Sequence, residues 1–396
     1  MDDWHALLDS DIQAFMRVHA KDDVRHLALK KAPQMHWPYA LILDQIKVRQ
    51  KAKTKSPDLY DTDGFIFPAA DLYEQASSQA CAAYKASLVD GDRFIDLTAG
   101  GGFDAFSFAR RFKDGVLVEC DAEAAGLLAH NCDTLGFKDR VLVEKQDAES
   151  YVKTMKWADF VYVDPQRRDG GRKGLYDFSS CSPDVIDLMP LLQGKAGQIM
   201  IKASPVLDIQ KAVHQLGCVM QVYVVEWAGE CKEVLYLCTP SEEIAVDDVH
   251  ITAVQIDEGG RVLKSFSFRL GDEPCAPVHY AMPQAYLYEP APAFMKAGGF
   301  RSMAAFYGLG KLHQHTHLYT SKSKIDDFCG KAYEIEDIVA PRPKALGLGC
   351  AELVLRHYPG TVAALRKKLG LKEGGDHRVF AVTLADRSKK LLICKK

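Results

Sequence analysis

The chain lacks the patterns that mark metal-binding, membrane and secreted proteins. None of its eleven cysteines forms a Cys-x-x-Cys pair, which disfavours a zinc site of the finger or ribbon kind. Their number is odd, so they read as reduced, mostly buried thiols and not as a disulfide framework. No apolar run approaches the roughly 20 residues of a membrane-spanning helix. The start, Met1-Asp2-Asp3-Trp4, has neither the basic nor the apolar segment of a secretory leader, and a cytoplasmic location is expected. A net charge of −3 says little about partners by itself. With 396 residues the chain is long enough for two or three domains and a large core.

What is present begins at Arg93. The run Arg93-Phe94-Ile95-Asp96-Leu97-Thr98-Ala99-Gly100-Gly101-Gly102-Phe103-Asp104 predicts a short buried strand, a glycine turn and a helix start. This is the first unit of a doubly wound α/β fold. Glycines at the carboxyl end of a strand let the backbone approach a ligand, since no Cβ intervenes. Gly100, Gly102 and Ala105 match the dinucleotide fingerprint loosely, and an ordinary structural βα turn would use the same glycines. Asp96 shifts the balance, because a carboxylate there suits a cationic ligand better than a phosphate.

Three more apolar runs end in acids. Gly115–Glu119 ends about 23 residues beyond Asp96, the position and spacing of a carboxylate that accepts both hydroxyls of a ribose. Val141–Asp147 and Val161–Asp164 repeat the pattern. In a parallel sheet these ends converge on one crevice. Further strands are expected at Ile199–Lys202, Cys218–Glu226 and Val234–Cys238, with Lys202 and Ser204 near the same rim. The helix entering from Phe65 offers Tyr73, Glu74, Gln75 and Ser77 as pocket-lining candidates, or is simply an amphipathic helix on the sheet.

The flanking segments read differently. Residues from Asp2 to about Lys55 have helical periodicity, and the alternating basic run Lys47–Lys55 reads as a solvated linker. Val249–Ile256 and Val262–Phe268 form a hairpin signal. Phe294 to Leu309 is helical in character. His313, His315 and His317 would share one face of a strand, yet no further ligand supports a metal there. From Ser321 onward 16 Lys and Arg face 9 Asp and Glu, a basic tail that the whole-chain charge conceals. Strands near Ala332–Val339 and Arg378–Leu384 around a helix at Thr361–Leu369 suit a small α+β module able to grip a phosphate backbone.

Asp96 through Gly102 resembles motif I of the class I S-adenosylmethionine-dependent methyltransferases, Asp-x-x-x-Gly-x-Gly. Residues from about Phe65 to Pro240 look most like the RNA-directed branch that includes trimethylguanosine synthase. The whole chain is similar to a bacterial family in which such a domain precedes a ferredoxin-like segment and a THUMP-like domain. True THUMP domains bind transfer RNA. The resemblance implies a Rossmann-like seven-stranded α/β methyltransferase sheet at 65–245, after an N-terminal helical lobe at 1–64. It also implies a small C-terminal α+β region, ferredoxin-like at 246–320 and THUMP-like at 321–396.

By the same resemblance S-adenosylmethionine is the cofactor. It would be held by Asp96, Thr98, Ala99, Gly100, Gly102, Asp104, Glu119, Cys120, Asp147 and Ala148, with Asp147 on the adenine amino group. Asp164 and Pro165 fall at motif IV, Asp/Asn-Pro-Pro-aromatic in enzymes that methylate exocyclic amines. Gln166 and Arg167 replace its last two residues. Arg167 and Arg168 suit an anionic group on the acceptor. The implied activity is methyl transfer to a base of structured RNA, tRNA or rRNA, with no metal. A small-molecule methyltransferase and a non-catalytic RNA-binding protein of degenerate methyltransferase fold are the alternatives.

Overall fold

The computed structural model describes residues 4–30, 32–34, 36–167 and 178–395. The chain divides into two compact units. The first holds residues 1–227, 232–245 and 256–263, and the second holds 228–231, 246–255 and 264–396.

Unit 1 opens with a helical lobe: α1 (Ser10–Val18), α2 (Val24–Ala28), α3 (Tyr39–Lys55) and α4 (Pro57–Tyr60). Asp9 caps α1 by accepting from the N–H groups of Asp11 and Ile12, at 2.9 and 3.2 Å, which satisfies donors that a helix start leaves free. Leu7, Ile12, Met16, Leu27, Ile42 and Ile46 close a core of their own. The basic run expected as a linker is instead the second half of α3. Lys51 pairs with Glu74, Arg49 donates to the Tyr60 carbonyl at 3.1 Å, and Lys55 donates to those of Tyr73 and Glu74 at 2.6 and 3.0 Å. Alternation along the sequence winds around a helix, so some of these cations turn inward.

Two short helices follow, α5 (Ala70–Gln75) and α6 (Gln79–Ser87), and then the sheet begins. Its strands are β1 (Arg93–Asp96), β2 (Asp114–Glu119), β3 (Val141–Lys145) and β4 (Ala158–Val163). The small ladder of β5 (Gln166–Arg167) with β6 (Cys181–Ser182) intervenes before β7 (Ala196–Ala203), β8 (Val219–Trp227) and β9 (Glu230–Cys238). The large strands lie in the order β8-β9-β7-β4-β1-β2-β3. Strand β1 is parallel to β2 and β4, β2 to β3, and β4 to β7, while β9 runs antiparallel to β7. These are the seven strands expected of a Rossmann-like sheet, and they belong to a sheet of nine. Helices α7 (Phe103–Ala109), α8 (Ala122–Thr134), α9 (Ala148–Thr154), α10 (Val185–Leu192) and α11 (Ile209–Leu216) connect it. Asp121, Asp147, Asp184 and Asp208 cap the last four, so an aspartate fixes each of these helix starts.

The hairpin of β10 (His250–Ile256) and β11 (Val262–Arg269) shares its residues between the units. Unit 2 continues with β12 (Tyr286–Pro290), α12 (Pro292–Ala297), α13 (Phe300–Tyr307), β13 (Gly310–Lys311), β14 (Tyr319–Ser321) and β15 (Gly330–Val339). It ends with α14 (Pro343–Leu346), β16 (Glu352–Arg356), α15 (Val362–Leu369), β17 (His377–Thr383) and β18 (Lys389–Lys395). Its sheet has the order β13-β14-β12-β15-β18-β17-β16. Both faces of β17 are covered: Val379 and Ala381 pack with Leu365 and Leu369, and Phe380 and Val382 pack with Leu287 and Leu318. Burial on both sides explains the unbroken apolar run there.

Three expectations change in unit 2. The helix expected over 294–309 is two, because Gly298 adopts φ +84° and ends α12. Strands β12, β13, β14, β16 and β18 add to the two expected. The histidines do not share a strand face: residues 313–316 form a turn, and His317 has φ +50°.

Candidate active site

Asp96 ends β1, Glu119 ends β2, and Asp147 and Asp164 follow β3 and β4 directly. All four line one cleft of about 1210 Å³ in unit 1, together with Thr98, Ala99, Gly100, Asp104, Cys120, Ala148 and Pro165. Gly102 is not among its lining residues. It has φ +80° and starts α7, and a Cβ on it would meet Phe106 at 2.5 Å and Leu128 at 2.6 Å. Gly100 has φ +51° but open space beside it. The first glycine therefore serves the ligand side of the turn and the last serves packing. Of the candidates on α5 and after it, Glu74, Gln75 and Ser77 reach the cleft. Tyr73 is buried, with its hydroxyl 2.7 Å from Ser56 Oγ. Arg168 and the side chain of Arg167 lie outside the described residues.

The four acids occupy different environments. Asp96 is 1% exposed. Its Oδ1 accepts from the N–H of Thr98 at 2.9 Å and from the Thr98 hydroxyl at 3.4 Å. Among the described residues no basic side chain pairs with it. Burial pushes its carboxyl well above the usual range, the Thr98 N–H opposes this, and the nearby charges of Asp104 and Asp164 reinforce it. Glu119 is held by backbone: Gly100 N–H donates to Oε2 at 2.9 Å and Asp121 N–H to Oε1 at 2.8 Å. These bonds tie the carboxylate to the glycine turn and leave lone pairs for a ligand. Asp147 accepts from Ser150 N–H at 2.7 Å, which lowers its pKa. The Asp164 N–H donates to Thr98 Oγ1 at 2.7 Å, and Lys202 Nζ lies 2.5 Å from its Oδ2.

Lys202 belongs to a buried charge cluster under the cleft. Lys85 lies 2.6 and 2.7 Å from the two oxygens of Glu233 and 3.1 Å from Asp104 Oδ1. Asp104 Oδ2 accepts from Ser77 Oγ and from the Tyr162 hydroxyl, both at 2.8 Å, and lies 3.9 Å from Lys202. Burial works against charge on Lys85, Lys202 and Asp104, yet pairing wins. Lys85 is raised by Asp104 and Glu233, Lys202 by Asp164 and Asp104, and Asp104 is lowered by the two lysines. A buried charge that loses its partner costs about 3–5 kcal/mol, so the cluster is held as a unit. Asp104 is thus committed to it from below, although it reaches the cleft. Sequence reasoning placed Lys202 near this rim but missed Lys85 and Glu233. The available signal was the single charge in Ala80-Cys81-Ala82-Ala83-Tyr84-Lys85-Ala86.

Nine carboxylate residues and three lysines line the cleft, so its field favours cations. A cationic nucleoside fits on this ground. The unpaired Asp96 beside a glycine turn would regain its charge against an ammonium group, and Glu119 and Asp147 offer acceptors at the neighbouring strand ends.

Comparisons with known proteins agree with the fold. Residues 68–171 match the family described as Conserved hypothetical protein 95, residues 286–328 a ferredoxin-like domain, and residues 330–396 a THUMP domain-like family. An alignment of 144 positions is 28% identical to Ribosomal RNA small subunit methyltransferase J of Rhodopseudomonas palustris (strain HaA2) and covers 31% of this chain. The chain spans 66% of that relative's length. A solved structure, named "putative methyltransferase from Porphyromonas gingivalis W83", matches with a TM-score of 0.87 at 27% identity, over 100% of this chain and 99% of that one. The resemblance read from the sequence, a methyltransferase domain followed by ferredoxin-like and THUMP-like domains, is borne out.

Proposed function

We propose that the protein is an S-adenosylmethionine-dependent methyltransferase acting on a base of structured RNA. The observation that carries this is the convergence of Asp96, Glu119, Asp147 and Asp164 on one cleft beside the Gly100 turn. When bound, S-adenosylmethionine supplies an electrophilic methyl group on a cationic sulfur. Asp96 holds an ammonium group, Glu119 the ribose hydroxyls and Asp147 the adenine amino group. Thr98, Ala99, Cys120 and Ala148 complete the wall, and Asp104 and Gly102 fix it from beneath.

Asp164 orients the acceptor. Lys202 occupies its Oδ2 at 2.5 Å, which leaves Oδ1 to face the acceptor. Its Oδ1 takes an N–H of an exocyclic amine, aiming the nitrogen lone pair. Such a reaction depends on alignment and charge placement more than on proton abstraction. The acid-rich cleft repels phosphate, so the nucleobase enters alone, unstacked from its neighbours. Backbone phosphates are then held elsewhere on the chain. Arg167 and Arg168, assigned from sequence, meet an anionic group of the acceptor, with Pro165 shaping that loop. The ribosomal RNA relative supports RNA over a small molecule, and rRNA is the preferred species.

Incubation with methyl-labelled cofactor and total bacterial RNA tests this reading. Label is expected in RNA for the natural chain and lost for Asp164→Ala. A natural chain that transfers no label to RNA overturns the assignment.

A further inference from the structure

We infer that unit 2 carries a second site, a patch of imidazole and guanidinium groups on the turns at 313–317, 356–358 and 384–388 that takes up the phosphodiester backbone of RNA. The inference rests on the RNA reading above and locates its phosphate contacts.

Three rings meet there. His313 and His357 stack with centroids 4.6 Å apart, and His315 lies 5.7 Å from the first and 5.5 Å from the second. His315, His357 and Arg387 are exposed and His313 is half-buried. Among the described residues only four that are not glycine have positive φ, and three of them belong to these turns: His317 at +50°, His357 at +51° and Arg387 at +64°. Residues other than glycine seldom adopt that conformation, arginine less readily than histidine, and three such positions together point to surroundings that hold them.

The surroundings are built to impose it. Thr316 Oγ1 donates to the Thr383 carbonyl at 2.6 Å, and Thr383 Oγ1 donates to the His357 carbonyl at 2.5 Å, so the three turns are laced together. Lys311, 2% exposed, donates to the carbonyls of His313 and Gln314 at 2.9 and 2.5 Å. Its ammonium also lies 3.3 Å from His317 Nδ1, and the His317 ring stacks on Phe300 at 3.6 Å. Lys311 is pushed down to about 8 by burial. A buried cation is thus committed to holding a loop whose exposed face is imidazole.

The charge of the patch is of one sign. After burial, the groups acting on the His313 ring are His357, His315, Lys311 and Arg387, all of which lower its pKa. The acids near these turns are engaged. Asp386 accepts from Ser388 N–H at 2.9 Å. Glu289 pairs with Arg356 at 2.6 Å and with Arg378 at 3.2 Å. Glu273 acts on the buried Lys311. Among the described residues Arg387 has no ion-pair partner. A metal is disfavoured, because no group of three or more His, Cys, Asp or Glu among the described residues is arranged to hold one. The unpaired Arg387 guanidinium and the N–H donors of imidazoles on the other two turns suit a polyanion, with flat rings that also stack on an unpaired base.

The test is binding of labelled total bacterial RNA to the full chain between 50 and 200 mM salt. The triple variant His315→Ala, His357→Asn, Arg387→Asn keeps the two left-handed positions accessible, since Asn tolerates them. Affinity is expected to fall about tenfold or more, and the slope of log K against log salt to shrink by about one contact, that of Arg387. The variant Lys367→Ala, Lys368→Ala on α15 removes two cations elsewhere and is expected to cost less than about threefold. S-adenosylmethionine binding by calorimetry should match the natural chain in both. A triple variant with natural affinity and slope overturns the patch alone. A natural chain that binds the cofactor but no RNA overturns the RNA reading with it. Should the triple variant fail to fold, oligouridylate added to the natural chain is expected to move the imidazole resonances of His315 and His357, and unmoved resonances overturn the proposal.

Discussion

The cleft of unit 1 and the histidine turns of unit 2 treat buried lysines in opposite ways. Lys85 and Lys202 are enclosed by carboxylates, and their pKa values are raised despite burial. Among the described residues Lys311 has carbonyls, an imidazole and the Phe300 ring as close partners, and burial lowers it to about 8. The first arrangement holds charge in place under a site for a cation. The second lends an ammonium to loop geometry under a surface for an anion. Neither region has its character because of net charge, which is −3 for the whole chain. Pairing, not composition, decides what each can bind.

The strongest consequence concerns the cluster beneath the cleft. Lys85→Met leaves Glu233 and Asp104 short of a cation and should cost about 3–5 kcal/mol of stability. Urea unfolding would read this, and the double variant Lys85→Met, Glu233→Leu should recover most of the loss. Equal destabilisation by both would mean that the pair is not coupled. Next, Gly102→Val meets Phe106 and Leu128 at a left-handed position and should cost about 1–3 kcal/mol from strain, seen as a lower thermal midpoint. Glu119→Ala should weaken S-adenosylmethionine binding about tenfold through lost hydrogen bonds, with little change in that midpoint.

The smallest effect is a difference of sign with pH. Lys311 binds its proton less tightly in the folded chain than the ordinary 10.5, so its contribution makes stability rise with pH between about 8 and 10.5. Lys85 and Lys202 bind theirs more tightly when folded. Their contribution is complete below 10.5 and is lost as pH climbs above it. Lys311→Met should therefore remove a gain in stability between pH 8 and 10, measured by urea unfolding at both. An unchanged gain would show that this lysine is not the group responsible.

Local patterns carried most of unit 1. The strand ending in Asp96, the glycines and the acids at successive strand ends are read within short windows, and helix caps such as Asp121 and Asp147 lie beside them. Pairs between distant residues were not readable. Lys85 meets Glu233 across 148 positions, and neither residue announces the other. In unit 2 the short run of β16 becomes a strand by pairing with β17, and that of β18 by pairing with β15 and β17. The histidines misled because alternation suggests a strand, whereas Lys311 gathers the carbonyls of a turn.

Calorimetric titration of S-adenosylmethionine into the natural chain and into Asp96→Asn is the most direct test of the carboxylate cradle. A charge-assisted hydrogen bond contributes about 1.5–3 kcal/mol, so the natural chain should saturate and the variant should bind about tenfold or more weakly. Equal affinity in the two proteins, or no binding to the natural chain, would contradict the cradle.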